Sequence, residues 1–266
     1  MKRLDTNAQL KDMVSVIMPC YNAQAFVGEA IASVVGQTWD NWELIVIDDG
    51  SQDESVHILQ KWADKDSRIV ALANEENMGV SKTRNKGINL AKGQWIAFLD
   101  SDDVWKKDKL ERQMLLAQEK QAEFIFTSCD IIDQNSTLLG TMATLPPEVT
   151  YAELQCWNRI TCSSVLLSKE ALKALRFEHD DSREDYLLWL RILKKIEIAY
   201  SLSEPLVQYR IISGSRSSNK LKMIRDTYRV HRHLGTNEVK SVFYTLAHFY
   251  CAFFNKYRNI RDQKQN

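Results

Sequence analysis

The stretch Gly93-Gln94-Trp95-Ile96-Ala97-Phe98-Leu99-Asp100-Ser101-Asp102-Asp103 runs from a turn through five apolar residues into a cluster of carboxylates. Trp95 to Leu99 reads as a strand, because a short apolar run bounded by turn chemistry is how a buried strand looks. The same grammar occurs three times upstream. Val14-Ser15-Val16-Ile17-Met18 stops at Pro19-Cys20-Tyr21-Asn22, Glu43 to Ile47 stops at Asp48-Asp49-Gly50-Ser51, and Ile69 to Leu72 runs into the loop Asn74 to Gly79. Between these strands the apolar positions recur at helical spacing. Phe26, Ala30, Ile31, Val34 and Val35 mark a helix over Ala25 to Gly36, and further helices are expected over Asp53 to Ala63 and Val80 to Ala91.

Strands alternating with helices at this rhythm predict an α/β fold with a mostly parallel, Rossmann-like central sheet flanked by helices. Right-handed crossovers bring the carboxyl ends of all four strands to one edge, and ligands of such sheets bind in the crevice beyond those ends. The polar stretches 19–22, 48–51, 77–79 and 100–103 therefore converge on one crevice.

The second part of the chain is less regular. A helix is expected over Lys107 to Lys120, strands over Phe124 to Thr127, Ser163 to Leu167 and Leu206 to Ile211, and a helix over Asp185 to Lys195 whose apolar face includes a core Trp189. Ser213 to Asn219 reads as a flexible loop, and two helical segments follow, Lys220 to His233 and Glu238 to Tyr257. The division expected is residues 1–120, residues 121–212 and a helical C-terminal extension, 213–266.

The chain has 266 residues, enough for one large α/β domain, and its 35 lysines and arginines balance 35 aspartates and glutamates. That balance argues against a dedicated nucleic-acid binder. The first ten residues are polar and lack the apolar core of a secretion signal, and no stretch is long and apolar enough for a membrane span, so a cytoplasmic location is expected. The five cysteines have no paired spacing and are expected to be reduced thiols. His231 and His233, two residues apart on a helix, point to different faces and are not expected to share a metal.

Asp100, Asp102 and Asp103 repel one another unless a cation joins them. Hard oxygen ligands favour Mg²⁺ or Mn²⁺, which take few carboxylates and complete their shell with substrate phosphates. The spelling Asp-Ser-Asp-Asp-Val also fits the nucleophile motif of haloacid-dehalogenase-type phosphatases, but those carry it after the first strand of their fold, and here it follows the fourth.

At this point the residues resemble a family. The runs Val14 to Asn22, Gln37-Thr38, Glu43 to Asp53, Glu76 to Ser81, Thr83-Arg84-Asn85 and Gly93 to Asp103 are similar to the ordered motifs of family 2 glycosyltransferases. So are Arg183 to Arg191 and the stretch Pro205 to Asn219, the latter resembling members that build bacterial surface polysaccharides, teichuronic acid glycosyltransferases among them. The resemblance covers about residues 13 to 220. It implies a GT-A fold and inverting transfer from a nucleoside-diphosphate sugar, usually UDP-linked. It implies that Pro19 and Tyr21 shape the base pocket, that Asp49 meets the base edge, that Arg84 lies near the nucleotide, that Asp100 approaches the ribose, that Asp102 with Asp103 holds the metal, and that Asp185 is the catalytic base. The Gln-x-x-Arg-Trp signature of processive members is absent, which favours single addition to a growing glycan, with lipid-linked glycans among the expected acceptors. A non-catalytic nucleotide-sugar-binding protein on the same fold is the alternative.

The chemistry suits these residue types. The departing diphosphate concentrates negative charge that a divalent cation neutralises, and the acceptor hydroxyl needs a base within hydrogen-bond reach. Inversion puts that base opposite the leaving group, hence on a different segment from the metal ligands. Asp185 satisfies this, at a predicted helix start where the dipole favours the ionised form; helix capping is the plainer role for Glu184 and Asp185. Trp157 and Asn158 are candidates for acceptor contact. From Val242 onward Phe243, Leu246, Phe249, Tyr250, Phe253, Phe254 and Tyr257 form a helical stripe flanked by Lys240, Lys256, Arg258, Arg261 and Lys264. An aromatic and basic helix of this kind over 240–261 lies on a membrane surface, here the inner face of the cytoplasmic membrane, or packs on the catalytic domain or a second subunit of a homo-oligomer.

Overall fold

The computed structural model describes residues 12–142, 144–212 and 220–262, with the side chains of residue 220 and of 253–262 left aside. The polar leader, the serine-rich loop 213–219 and the side chains of the stripe residues from Phe253 onward lie outside what is described.

Strand β1 (Val14–Cys20) pairs in parallel with β2 (Trp42–Asp48) on one side and β4 (Trp95–Phe98) on the other, and β2 pairs in parallel with β3 (Ile69–Ala73). The crossovers are α1 (Val27–Val35), α2 (Ser55–Ala63) and α3 (Val80–Leu90). Every residue of β2 is buried, as expected of a strand covered on both faces. After β4 come β5 (Val104–Trp105), α4 (Lys109–Lys120), β6 (Phe124–Ile132), β7 (Leu138–Thr141), β8 (Glu148–Thr150) and α5 (Tyr151–Cys156). Then follow β9 (Leu166–Ser168), α6 (Lys169–Leu172), α7 (Glu184–Ile196), β10 (Ile198–Arg210), α8 (Lys220–His233) and α9 (Glu238–Asp262). One sheet runs in the order β3-β2-β1-β4-β9-β6-β10-β5, with β7 on β6 and β8 on β10. Because β9 is antiparallel to both β4 and β6, the strands β1 to β4, β6 and β10 all point one way. Their carboxyl ends share one edge, which is the mostly parallel GT-A-like arrangement expected.

The two sheet faces carry separate cores. Val14, Val16 and Met18 of β1 face α1, α2 and α4, whereas Ile17 faces the side of α3 and α7. On that second side Trp189 of α7 is fully buried, with ring centroids 6.0 Å from Phe98, 5.5 Å from Phe124 and 6.0 Å from Phe177. This aromatic cluster ties α7 to β4 and β6.

Three expected boundaries change. The run Ser163 to Leu167 is not one strand: Cys162–Ser164 is a single 3₁₀ turn and only Leu166–Ser168 pairs in the sheet. Ser164 Oγ donates to the Thr161 carbonyl at 2.7 Å and Ser163 Oγ to Asp103 at 2.5 Å, so the hydroxyls serve turn chemistry in place of a ladder. The strand expected from Phe124 continues to Ile132. The strand expected from Leu206 begins at Ile198, and its register with β6 shifts around Pro205, which has no N–H to give.

At the amino-terminal end of β1 a buried polar junction fixes the sheet's base. Ser15 Oγ donates to Glu43 at 2.6 Å and accepts from the Gly93 N–H at 2.9 Å, while the Lys92 N–H donates to the same carboxylate at 2.7 Å. Gly93 approaches β1 so closely that a Cβ would lie 2.5 Å from the Met13 carbonyl oxygen and 2.9 Å from the Ser15 nitrogen. Gly93→Ala must push two backbones apart. It is expected to cost about 1–3 kcal/mol, as overpacking does, and to lower the urea midpoint without changing the slope.

Candidate active site at the carboxyl edge of the sheet

The loops after β1 and β2 are stitched together by side chains. The Asn22 N–H donates to Ser51 Oγ at 2.8 Å, the Gln52 N–H returns to Asn22 Oδ1 at 2.8 Å, the Ala23 N–H donates to Ser55 Oγ at 2.9 Å and the Gln24 N–H to Asp53 at 3.0 Å. Asn22 sits at φ 46°, a conformation asparagine tolerates. Asp48 accepts from the N–H groups of Gly50 and Ser51 at 3.1 and 2.9 Å. Two turns are thereby fixed at the mouth of a crevice of about 1310 Å³, lined among others by Pro19, Tyr21, Asp49, Arg84, Asp100, Asp102 and Asp185. Tyr21 stands at its rim, half exposed.

Asp49 is buried, and its carboxylate holds the loop before α3. Oδ1 accepts from the Met78 N–H and from Asn74 Nδ2, at 2.9 and 2.8 Å, and Oδ2 accepts from the Gly79 N–H at 2.9 Å. Burial alone raises its pKa, but these donors overcome it and hold the carboxyl below its ordinary range. Gly79 has φ 89°, a left-handed conformation that favours glycine, and it lies beside the Asp180 carboxylate. Ser81 Oγ donates to Asp180, which closes residues 177–182 over this loop.

Arg84, on α3, is only 4% exposed. Its guanidinium donates to Asp100 at 2.7 Å and to Glu184 at 3.1 Å, with the ring of Phe177 at 5.0 Å. One cation thus joins the acidic end of β4 to the start of α7. Its neutralising role accounts for its burial: a guanidinium is taken out of water only when paired and hydrogen-bonded.

The three carboxylates after β4 have different surroundings. Asp100 and Asp102 line the crevice. Asp103 is 1% exposed, and both its oxygens are taken, Oδ1 by the Arg210 N–H at 2.9 Å and Oδ2 by Ser163 Oγ at 2.5 Å. Asp103, expected to join Asp102 at the metal, faces inward here and holds β10 against the turn. Burial, then the charges of Asp102 and Asp100, push its pKa well up. Asp102 is pushed up to about 6 by burial and then by the charge of Asp100. The side chain of Arg210, at the end of β10, fixes the backbone of this turn. Its Nε donates to the Asp102 carbonyl at 2.7 Å, and its other nitrogens reach the Asp133 carbonyl, Ser136 Oγ and Glu29 at 3.1, 2.9 and 2.7 Å.

Asp185 is the second residue of α7, and its Oδ1 accepts from the Tyr186 N–H at 2.7 Å. The crevice is also lined by Trp157, Asn158, Arg159, Ser182, Arg183 and Glu184. Sequence reasoning names Trp157 and Asn158 but misses Arg183, Arg159 and the Arg84–Glu184 pair. Nothing local marks that pair, because its partners are one hundred residues apart. It also misses His248 of α9, whose ring nitrogens meet the Asn158 N–H at 3.3 Å and an Arg183 nitrogen at 3.2 Å. His231 and His233 are separated as expected. His231 stacks on Tyr244, with centroids 5.1 Å apart, and His233 stacks on His179 at 3.7 Å.

The chain matches the family model for glycosyl transferase family 2 over residues 15–173. It is 38% identical over 224 residues to TuaG of Bacillus subtilis, a glycosyltransferase named for teichuronic acid biosynthesis, covering 84% of this chain and 89% of that protein. It is 37% identical over 235 residues to WfgD of Escherichia coli, a UDP-Glc:α-D-GlcNAc-diphosphoundecaprenol β-1,3-glucosyltransferase, covering 88% of this chain and 91% of the other. Among solved structures, TarS 1–349 of Staphylococcus aureus in complex with UDP-GlcNAc superposes with a TM-score of 0.70 at 21% identity, over 86% of this chain and 69% of that one. The mannosyltransferase PcManGT of Pyrobaculum calidifontis, in complex with GDP-Man and Mn²⁺, gives 0.64 at 17% identity, over 88% of this chain and 68% of that one. The chain belongs to glycosyl transferase family 2 and has a GT-A-like fold.

Two outcomes follow from the site's electrostatics. Arg84→Met strands two carboxylates that it now pairs and is expected to cost roughly 3 kcal/mol in urea unfolding, with Arg84→Lys recovering part of it. Burial lowers the pKa of His231 to about 4, and burial with the charge of Arg183 lowers that of His248 to about 3. Both are depressed below the unfolded value, so as pH falls the unfolded chain takes up protons first. The stability they contribute is complete above about pH 6.5 and drains away toward pH 4, by about 3 kcal/mol for His231. His231→Phe is expected to flatten the fall in melting temperature across that window.

Proposed function

We propose that this member of glycosyl transferase family 2 transfers one sugar at a time, with inversion, from a UDP-sugar to a hydroxyl of a growing, lipid-linked surface glycan. The observation that carries the proposal is that Asp100, Asp102 and Asp185 line one crevice while Arg84 bridges Asp100 to Glu184, the neighbour of Asp185. Leaving-group chemistry and attack chemistry thereby belong to two segments locked by one cation. Identity to the named glucosyltransferase WfgD over most of both chains supports the lipid-linked acceptor.

In this proposal residues 1–120 form the donor half, 121–212 the acceptor half and 213–266 the extension. Tyr21 packs on the base beside Pro19. Asp49, held at the cavity wall by the Met78 and Gly79 N–H groups and by Asn74, meets the base edge. Asp100 meets the ribose. Asp102 is a fitting ligand for Mn²⁺ or Mg²⁺, because burial and Asp100 make its charge costly without a cation and such ions take one or two carboxylates plus phosphate oxygens. When bound, the ion neutralises charge on the departing diphosphate. Asp185 accepts the proton of the acceptor hydroxyl as that oxygen attacks the anomeric carbon, and the bond from that carbon to the phosphate oxygen breaks with its electron pair leaving on the diphosphate. Arg183, Asn158 and Trp157 line the acceptor side. The protein works at the inner face of the cytoplasmic membrane, where a lipid-linked acceptor would be anchored.

Asp185→Asn is expected to reduce transfer by about 10²–10⁴-fold while leaving the melting-temperature rise caused by UDP-sugar and Mn²⁺ in place. Asp102→Asn is expected to abolish the Mn²⁺-dependent part of that rise, which mass action makes visible. Wild-type transfer by Asp185→Asn would overturn the assignment of the base. UDP-sugar binding with no donor consumed in the presence of acceptor would favour a non-catalytic binding protein.

A further inference from the structure

The crevice does not account for the outer surface of the two C-terminal helices. On α9, Val239, Val242, Phe243, Leu246 and Tyr250 follow helical spacing along one face and are 80, 48, 61, 66 and 63% exposed. On α8, Leu221 and Ile224 stand 80 and 42% exposed beside them. Between the helices lies an apolar groove of about 340 Å³, lined by Leu221, Ile224, Tyr228, Val242 and Leu246 with Arg225 at its edge. Together they form one contiguous apolar face, larger than the scattered exposed hydrophobics of an ordinary surface.

Charge identifies what covers it. Residues 220–266 hold ten lysines and arginines against three acidic residues, in a chain whose totals are 35 of each. Residues 220–266 are therefore basic by seven while residues 1–219 are acidic by the same amount. An isologous contact between two copies would set this basic segment against itself. An anionic lipid surface complements both the charge and the apolar face. Among the described residues no helix is long and apolar enough to cross a membrane, which suits a helix lying in the interface plane.

Orientation gives the contact a purpose. Lys222, Met223 and Asp226, on an adjacent side of α8, line the crevice, as does Ala252 of α9. The inner face of α9 carries His248, which meets Arg183 and Asn158 on the acceptor side. We propose that the exposed α8–α9 face, centred on Leu221, Ile224, Phe243 and Leu246, docks on an anionic bilayer and sets the crevice mouth beside it, so that a lipid-anchored acceptor enters from the α8 side. This deepens the proposed function and rests on its lipid-linked acceptor only for the purpose of the contact.

The test is flotation of the full chain with vesicles of mixed phosphatidylglycerol and phosphatidylcholine, and with pure phosphatidylcholine. Wild type is expected to float with the anionic vesicles, to bind the neutral ones at least about tenfold more weakly, and to lose binding as salt rises. Phe243→Ser with Leu246→Ser, and separately Arg225→Glu with Lys240→Glu, are each expected to weaken flotation about tenfold while the melting-temperature rise with UDP-sugar is unchanged. Wild type that stays unbound on anionic vesicles overturns the proposal, as do variants that float like wild type, or a wild-type dimer that the Phe243/Leu246 variant converts to monomer. Flotation needs no turnover, so a failed transfer assay leaves its result standing. Retained transfer to a short-chain, water-soluble acceptor by an enzyme that does not float would remove the docking surface alone.

Discussion

The site depends on the buried guanidinium of Arg84. Arg84 brings together two carboxylates from distant segments, Asp100 at the end of β4 and Glu184 at the start of α7. Neither carboxylate could approach the other unaided, since like charges in a low-dielectric pocket repel strongly. A guanidinium also suits the place better than an ammonium, because its fork can serve two acceptors in fixed directions. The sheet supplies the edge, but this ion pair sets how the two halves of the crevice face each other.

A second division of labour runs through the acidic residues themselves. Asp48 Oδ2 and both oxygens of Asp103 turn inward and accept from N–H groups and a hydroxyl of the surrounding turns, Asp49 braces its loop from the cavity wall, and Asp100, Asp102 and Asp185 line the cavity beside it. The inward-turned group makes the turns rigid. The second group can then be held in a partly buried, mutually repelling arrangement, the condition under which a cation is welcome. Arg210 serves the same end from the other side by holding the Asp102 carbonyl, so that the turn is clamped through both its side chains and its backbone.

Much of this was legible in the sequence, for physical reasons that also mark where legibility ends. The parallel half shows because β1, β2 and β4 are buried on both faces and spelled as apolar runs, each stopped by polar turn residues. Trp189 could be assigned to the core from the helical spacing of α7. By contrast β5 is a two-residue pairing and β7 is largely exposed, so neither has a periodicity to read. The serines at 163 and 164 follow an apolar context that suggested a strand, but hydroxyls that find partners within the turn release the backbone from the ladder. Asp103 looked like Asp102 from spacing alone. Only the fold puts the Arg210 N–H and Ser163 against one and the crevice against the other. Long-range pairs such as Arg84 with Glu184, and His248 with Arg183, leave no local trace.

The C-terminal extension follows from the same logic of faces. On α9 the buried positions Ser241, Thr245 and His248 are polar, while the exposed positions include Val239, Val242, Phe243 and Leu246. That inverts the usual order of a surface helix, which turns its apolar stripe to the core. The inversion is stable because the inner polar groups find partners: Ser241 Oγ donates to the Asn237 carbonyl, Thr245 Oγ1 to the Ser241 carbonyl, and His248 meets Asn158 and Arg183. A helix whose inner face is satisfied by hydrogen bonds can present hydrocarbon outward without losing its seat on the domain. Two of the residues that satisfy it, Asn158 and Arg183, line the crevice. Whatever covers the outer face of α9 is thereby one helix diameter away from the groups that would meet the acceptor, and a bilayer there would present a lipid-anchored glycan at the height of the crevice mouth.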